Sequence, residues 1–440
     1  MAMWERYALE PMRGLWTLEA QYRRWLAVEL AALSALEELG RVPPGTAENI
    51  RERAKIDVER ILGIERKVGH DLVAFLTALE ESVGEEGRWL HYGLTSSDVK
   101  DTSLALAIRQ ALDLVLEKAR ALYRPLWELA TRYKETPIVG RTHGQYAEPT
   151  TFGLKVLLWY DWLSRVEGRL LRAREAISVG KLSGAVGTYA HFPPEAEALA
   201  LKALGLSPCP VASQIIPRDR HAEVLFSLAS AASLVEAIAM EVRHLSRSEV
   251  AEVAEGRPEG SSAMPHKKNP ILSERLCGLA RILRASLPPA LENCALWHER
   301  DMSHSSVERV LLPQAFVLVD YMLAKARELV EGLHVFPERM RENLLAAAGL
   351  PFSEGLLLSL VRKGMPRGRA HALVTELSRK AEKEGKGLLE VAGSDPRVKG
   401  MLSPEELEGA FDLGTALARI DELFRRFSPP AGPRYNPPGT

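Results

Sequence analysis

The sequence predicts an all-α chain built around a bundle of unusually long helices. Three apolar seams carry that expectation. From Ile108 the apolar positions are Leu112, Val115, Ala119, Leu122, Leu126 and Leu129. From Phe152 they are Val156, Trp159, Leu163, Val166, Leu170, Ala173 and Ile177, and from Val224 they are Leu228, Ala231, Val235, Ile238, Val242 and Leu245. Steps of 4 and 3 in alternation draw one stripe along a helix, the pattern of left-handed bundle packing. Period-2 alternation with β-branched residues is almost absent, so little sheet is expected.

The seams imply helices of about 25–35 residues, roughly 40–50 Å long, where ordinary helices average about 11–12. Pro125 falls inside the first and should kink it. The stretch from Leu225 to Met240 is apolar or small on nearly every face apart from Glu236. Such a helix must be covered on all sides, by its own bundle or by other subunits. With Glu236 interrupting it, it falls short of the ~18–20 residues of a membrane span. On either side the elements shorten. Residues 1–95 form an N-terminal helical domain broken at Gly40–Gly45, Gly63 and Gly84–Gly87, and residues 96–343 form the central bundle. Residues 344–440 form a C-terminal helical domain that ends in the extended, Pro- and Gly-rich tail SPPAGPRYNPPGT.

Composition narrows the function. Fifty-seven Lys and Arg against 58 Asp and Glu give a net charge of -1. There is no basic excess to hold nucleic acid or a membrane surface, though small anions need only a local cluster of cations. Cys209, Cys277 and Cys294 are odd in number and contain no C-x-x-C pair, which suits free thiols in a reducing cytosol better than disulfides or a thiolate zinc site. The start, MAMWERYALEPMRGLW, lacks the apolar core of a signal peptide. A cytoplasmic protein is expected.

Four polar segments interrupt the seams, where loops carry chemistry on a rigid frame. His91–Ser103 offers Thr95, Ser96, Ser97 and Asp98, all good helix caps. Gly140–Thr150 holds Thr142, His143, Gln145 and Glu148 in what reads as a polar loop. Glu255–Pro270 contains too much Gly and Pro for a helix and carries Ser261, Ser262, His266, Lys267, Lys268 and Asn269. Loops of that length are usually functional or disordered. Trp297–Val310 places Arg300, His304, Ser305, Ser306 and Arg309 on or before a helix N-terminus, a place that binds anions. Lys267, Arg300 and Arg309 suit a polyanionic small molecule, and His143, Ser261 and Ser262 are able to move protons. Walker, GxGxxG and H-E-x-x-H patterns are absent.

The segment GSSAMPHKKNP, Gly260–Pro270, resembles the signature loop of the fumarase/aspartase superfamily, G-S-S-x-M-P-x-K-x-N-P. Its companions resemble the adenylosuccinate lyase family over nearly the whole chain. They are Arg6-Tyr7, GHDLVAF from Gly69, HYGLTSSDVKDT from His91, GRTHGQYAEPTTFGLK from Gly140, Gln214, and ERDMSHSSVER from Glu299. The resemblance implies three helical domains whose central bundles associate into a homotetramer. It implies small succinylated nucleotides as substrates, split to release fumarate, with no metal or cofactor.

Carried over residue by residue, the resemblance makes Ser261 the base that removes the succinyl Cβ proton. On the residues alone, His143 or His266 would be chosen. His143 would protonate the leaving nitrogen, with His70 as a helper. Lys267 and Asn269 would hold the succinyl carboxylates with Thr95, Ser96 and Gln214. Arg6, Tyr7, Asp71, Arg300, Ser305 and Arg309 would bind the nucleotide and its phosphate. The family usually carries a basic residue before the His-Asp pair, but this chain has Gly69, so either Lys67 reaches in or one contact is missing. A proton α to a carboxylate is only weakly acidic, and its removal needs preorganised donors and cations of this kind. Another lyase of the superfamily, such as an argininosuccinate lyase or carboxymuconate cycloisomerase, is the rival reading. A non-catalytic structural relative is disfavoured by the presence of His143, Ser261, Lys267 and Asn269.

Overall fold

The computed structural model describes residues 3–256, 259–260, 264 and 266–430. The chain divides into two compact units. One comprises residues 1–120, 164–236 and 276–325, the other residues 121–163, 237–275 and 326–440. The divisions fall inside long helices, so neither unit is a simple run of sequence.

The seams become helices of the expected length: Ser96–Ala121 with 26 residues, Phe152–Ile177 with 26, and Asp219–Leu245 with 27. A fourth, Ser303–Glu331, has 29 residues and contains Pro313. The stripe residues Leu112, Val115, Val156, Leu163, Leu228 and Val235 are all fully buried. The first seam, however, is not a single helix. It stops at Ala121 and resumes as Tyr123–Arg132. Pro125 has no N–H to donate to the Ala121 carbonyl and its ring crowds that oxygen, so the ladder is cut one turn upstream.

Gly63 does not break a helix. It lies within Val58–Val68, and the chain reverses instead at Gly69, φ 70°. A helical glycine costs only about 1 kcal/mol, while the left-handed conformation at Gly69 is what ends the helix. The Asp219–Leu245 helix also corrects an expectation. By length and composition it is apolar enough to cross a membrane, but 61% of its most apolar window is buried inside the protein, as in a core helix.

The polar segment read as a loop after Pro137 is a β-hairpin. Pro137–Thr142 pairs antiparallel with Gln145–Thr151, with an irregularity between Val139 and Arg141. The first strand reads PIVGRT, with its two apolar residues adjacent, and the second, QYAEPTT, is mostly polar, so no apolar alternation announced it. What anchors the hairpin is burial of Ile138 and Val139, together with a bidentate ion pair from Arg141 to the buried Glu252 at 2.8 and 2.9 Å. Asn343 donates to the same carboxylate at 2.8 Å. A second short ladder joins Glu259–Gly260 to Lys268–Asn269 at the base of the signature loop.

Candidate active site

In the first unit the site grows from the turn at Gly69. The reversal places His70 as N-cap of the helix Asp71–Val83, its ring Nδ1 accepting from the Val73 N–H at 3.4 Å. Asp71 then begins the helix, and its two oxygens are divided between neighbours. Oδ1 accepts from the Leu72 N–H at 2.8 Å and from the Lys100 ammonium, and Oδ2 accepts from Arg309 Nη2 at 2.8 Å. Burial pushes the Asp71 carboxyl up, but Lys100, the Leu72 N–H and Arg309 outweigh it and hold it below the usual carboxylate range.

Asp71, Lys100, Arg300, Ser305 and Arg309 line a cavity of about 460 Å³ that is walled on one side by the indole of Trp25. Arg300 donates to Gln214 Oε1 at 3.0 Å, which brings the loop around Gln214 to the same place. Tyr7 packs edge-on against Tyr321, ring centres 5.2 Å apart. Arg6 is exposed and, like Tyr7, His70, Thr95 and Ser96, does not line this cavity.

The cavity has a buried ionic floor. Arg218 donates to both oxygens of Asp101 at 2.7 and 2.8 Å, and its Nε lies 2.9 Å from Glu308. Burial alone would raise Asp101, yet Arg218 brings it down to about 2. Burial pushes Glu308 up to about 7 and, with Arg218 adding, pulls the adjacent His221 and His304 down to about 3 and about 4. Glu308 lies on the same helix as Ser305 and Arg309, so the floor fixes the rotation of the face that carries them.

Two buried carboxylates hold the Thr95–Ser96 segment. Glu29 accepts from the His91 backbone N–H at 2.8 Å and contacts the His91 ring Nδ1 at 2.8 Å. Asp98 accepts from the Thr95 N–H at 2.8 Å and from the buried Lys181 ammonium. The capping expectation therefore holds in part: Asp98 caps backward, from inside the helix. Glu29, Lys100, Asp101, Arg218 and Glu308 were not singled out from sequence. Glu29 had a visible signal, a lone acid within the otherwise apolar run LAVELAAL. The others look like ordinary helix or loop charges until the fold brings them together.

The second unit carries the proton-transfer candidates. His143 and Gly144 form the two-residue turn of the hairpin, flanked by the pair Thr142–Gln145, with φ values of 53° and 76°. Consecutive left-handed residues make a type I′ turn, whose twist matches that of the strands. Gly144 adopts it freely, and His is among the few residues that tolerate it. The turn leaves His143 exposed. Lys267 is exposed and Asn269 half-buried at the foot of the signature loop. Glu255, just before the loop, accepts from the N–H groups of Leu272 and Ser273 at 3.2 and 2.7 Å and so caps the helix that follows it. Ser261 and Ser262 lie outside the described residues.

A profile described as Lyase matches residues 6–283, and one described as Adenylosuccinate lyase C-terminus matches residues 349–427. The chain is 52% identical to an adenylosuccinate lyase of Thermotoga maritima over 97% of its own length and 99% of the relative's. It is 46% identical to one of Aquifex aeolicus over 96% and 98%. Among solved structures, a fumarate lyase from Mesorhizobium sp. BNC1 superposes with a TM-score of 0.86 at 29% identity, covering 95% of this chain and 98% of that one.

Proposed function

Because the chain belongs to the adenylosuccinate lyase family, we propose that its catalytic apparatus is the set of residues gathered above. The enzyme is a carbon–nitrogen lyase that cleaves succinyl-AMP into AMP and fumarate in purine biosynthesis. The succinylated aminoimidazole carboxamide ribotide is split in the same way. Ser261 takes the proton from the succinyl Cβ, the electron pair left behind forms the double bond of fumarate, and the C–N bond breaks. His143 gives the departing nitrogen its proton, as an imidazole placed for general acid catalysis does. Lys267 and Asn269, with Thr95, Ser96 and Gln214, hold the succinyl carboxylates as negative charge builds on them. Arg6, Tyr7, His70, Asp71, Arg300, Ser305 and Arg309 seat the nucleotide.

The observation that carries this reading is the cavity shared by Asp71, Arg300, Ser305 and Arg309, four of the residues matched to the nucleotide. The domains follow the family pattern of residues 1–95, 96–343 and 344–440. Four chains assemble, and His143, Ser261 and Thr95–Ser96 of each site come from three different subunits. The large apolar side chains that long helices leave exposed, Leu158 at 60% and Val310 at 61%, support that assembly. So does a proton donor stationed at an exposed turn. Free thiols at Cys209, Cys277 and Cys294 suit a cytoplasmic home.

The test mixes two inactive variants. His143→Ala and Ser261→Ala are dissociated, combined and reassociated, and fumarate release from succinyl-AMP is followed by absorbance. Random 1:1 assortment should leave both residues intact in about a quarter of the sites. Activity that stays at the level of the single variants, despite demonstrated exchange of subunits, would place both residues of a site on one chain.

A further inference from the structure

Lys100 is assigned no part in the reading above, yet it lines the same cavity as Asp71, Arg300, Ser305 and Arg309. It projects from the helix Ser96–Ala121, one turn beyond Thr95–Ser96, and its side chain is 24% exposed. Its ammonium binds Asp71 Oδ1 and lies 5.7 Å from the ring centre of Trp25. The other Asp71 oxygen is held by Arg309. One carboxylate therefore presents two cations side by side. An oxyanion that draws Arg309 away from Asp71 comes within reach of Lys100 as well.

Charge points the same way. On the cavity floor Arg218 is occupied by Asp101 and Glu308. The remaining charged groups of the lining are Arg24, Lys100, Arg300 and Arg309, facing Glu65 and Asp71. Over the whole lining, five cations oppose four carboxylates, so removing Lys100 brings the formal sum to zero. Burial lowers the Lys100 ammonium, Asp71 opposes that, and Arg309 and Arg300 add to the lowering, as expected of cations crowded into one space. The turn at Gly69 offers no side chain, and Lys67 is exposed on the last turn of the preceding helix.

We infer that Lys100 recognises the substrate's phosphate: its ammonium, now held on Asp71, binds a phosphate oxygen alongside Arg309 and fills the role that Gly69 leaves vacant. The inference rests on the nucleotide reading of this cavity. A charge-assisted contact of this kind contributes about 1.5–3 kcal/mol, or roughly ten- to hundredfold in affinity.

The experiment compares binding of AMP, inorganic phosphate and adenosine to the wild-type enzyme, Lys100→Met and Lys100→Arg, by calorimetry and by competition against succinyl-AMP. Lys100→Met should weaken AMP and phosphate about ten- to hundredfold while shifting adenosine by less than about twofold. Lys100→Arg, which keeps the charge, should recover most of the loss. Equal weakening of AMP and adenosine would reduce Lys100 to a brace for Asp71 and overturn the assignment, as would unchanged AMP binding in Lys100→Met. A wild-type enzyme that prefers AMP no more than adenosine would instead remove the nucleotide reading itself, and this assignment with it.

Discussion

Around Asp71 the charged groups hold one another inside a cavity, each in an ion pair or hydrogen bond before any ligand arrives. His143 stands exposed at a two-residue turn fixed by backbone conformation and by anchors further down the hairpin. The first arrangement is preorganised, since Asp71 already holds Lys100 and Arg309 in place, Lys100 partly buried and Arg309 largely exposed. The second holds an exposed imidazole on a stiff arm. The groups proposed for binding and for proton transfer are thus positioned by different means in one chain, and substitutions in the two regions should fail in different ways.

The largest effect is expected at the turn. His143→Ala should lower kcat by about 10²–10⁴-fold, the usual worth of a positioned proton donor, while AMP still inhibits competitively. A parallel loss of AMP affinity, measured by the inhibition constant, would mean that the turn also belongs to the nucleotide anchor and that the contrast is false.

A smaller effect separates the succinyl and nucleotide contacts. Arg309→Met should weaken AMP inhibition about ten- to hundredfold through loss of a charge-assisted contact. Lys267→Met should mainly reduce turnover and succinyl recognition and leave AMP inhibition near the wild-type value. Equal changes in AMP inhibition in the two variants would contradict this division.

The smallest effect concerns the ionic floor alone. His221 is 3% exposed and is held neutral by burial and by Arg218, well below its ordinary value, at about 3. The unfolded chain takes up this proton near pH 6.5 while the folded one resists until about pH 3. Stability from this group is therefore complete above pH 6.5 and is lost as pH falls toward 3. Glu308, raised to about 7, acts in the opposite sense: its contribution is complete below about pH 4.5 and fades as pH rises through 7. His221→Phe should flatten the acid limb by about 3 kcal/mol. Urea midpoints from pH 7 to pH 4 that fall equally in both proteins would argue against it.

How much of this was legible in the sequence depended on range. The 3-4 stripes at Phe152–Ile177 and Val224–Leu245 are local patterns, and they mapped directly onto helices. The hairpin was missed because its strands, PIVGRT and QYAEPTT, show no apolar alternation and its anchor, Glu252, lies 111 residues from Arg141. The residues proposed for the nucleotide came from matched motifs, which point to candidate substrate contacts but not to the groups that brace them. Glu29 is 62 residues from His91, and Arg218 is 117 residues from Asp101. Charge pairing at such separations has no periodic signature, and only the fold reveals it.

The two clamps at the foot of the signature loop have a consequence for length. Glu255 caps the helix Ile271–Ala285, and Glu259–Gly260 pairs with Lys268–Asn269. A residue gained between Gly260 and Lys268 would leave both clamps in register but break the G-S-S-x-M-P-x-K-x-N-P spacing that carries Ser261 and Lys267, the proposed base and carboxylate contact. The same gain between Asn269 and Ser273 would turn the helix by about 100° relative to its cap and carry its buried stripe out of phase. Lineages of this chain should therefore keep their length on both sides of Lys268, for the chemistry on one side and for the helix on the other.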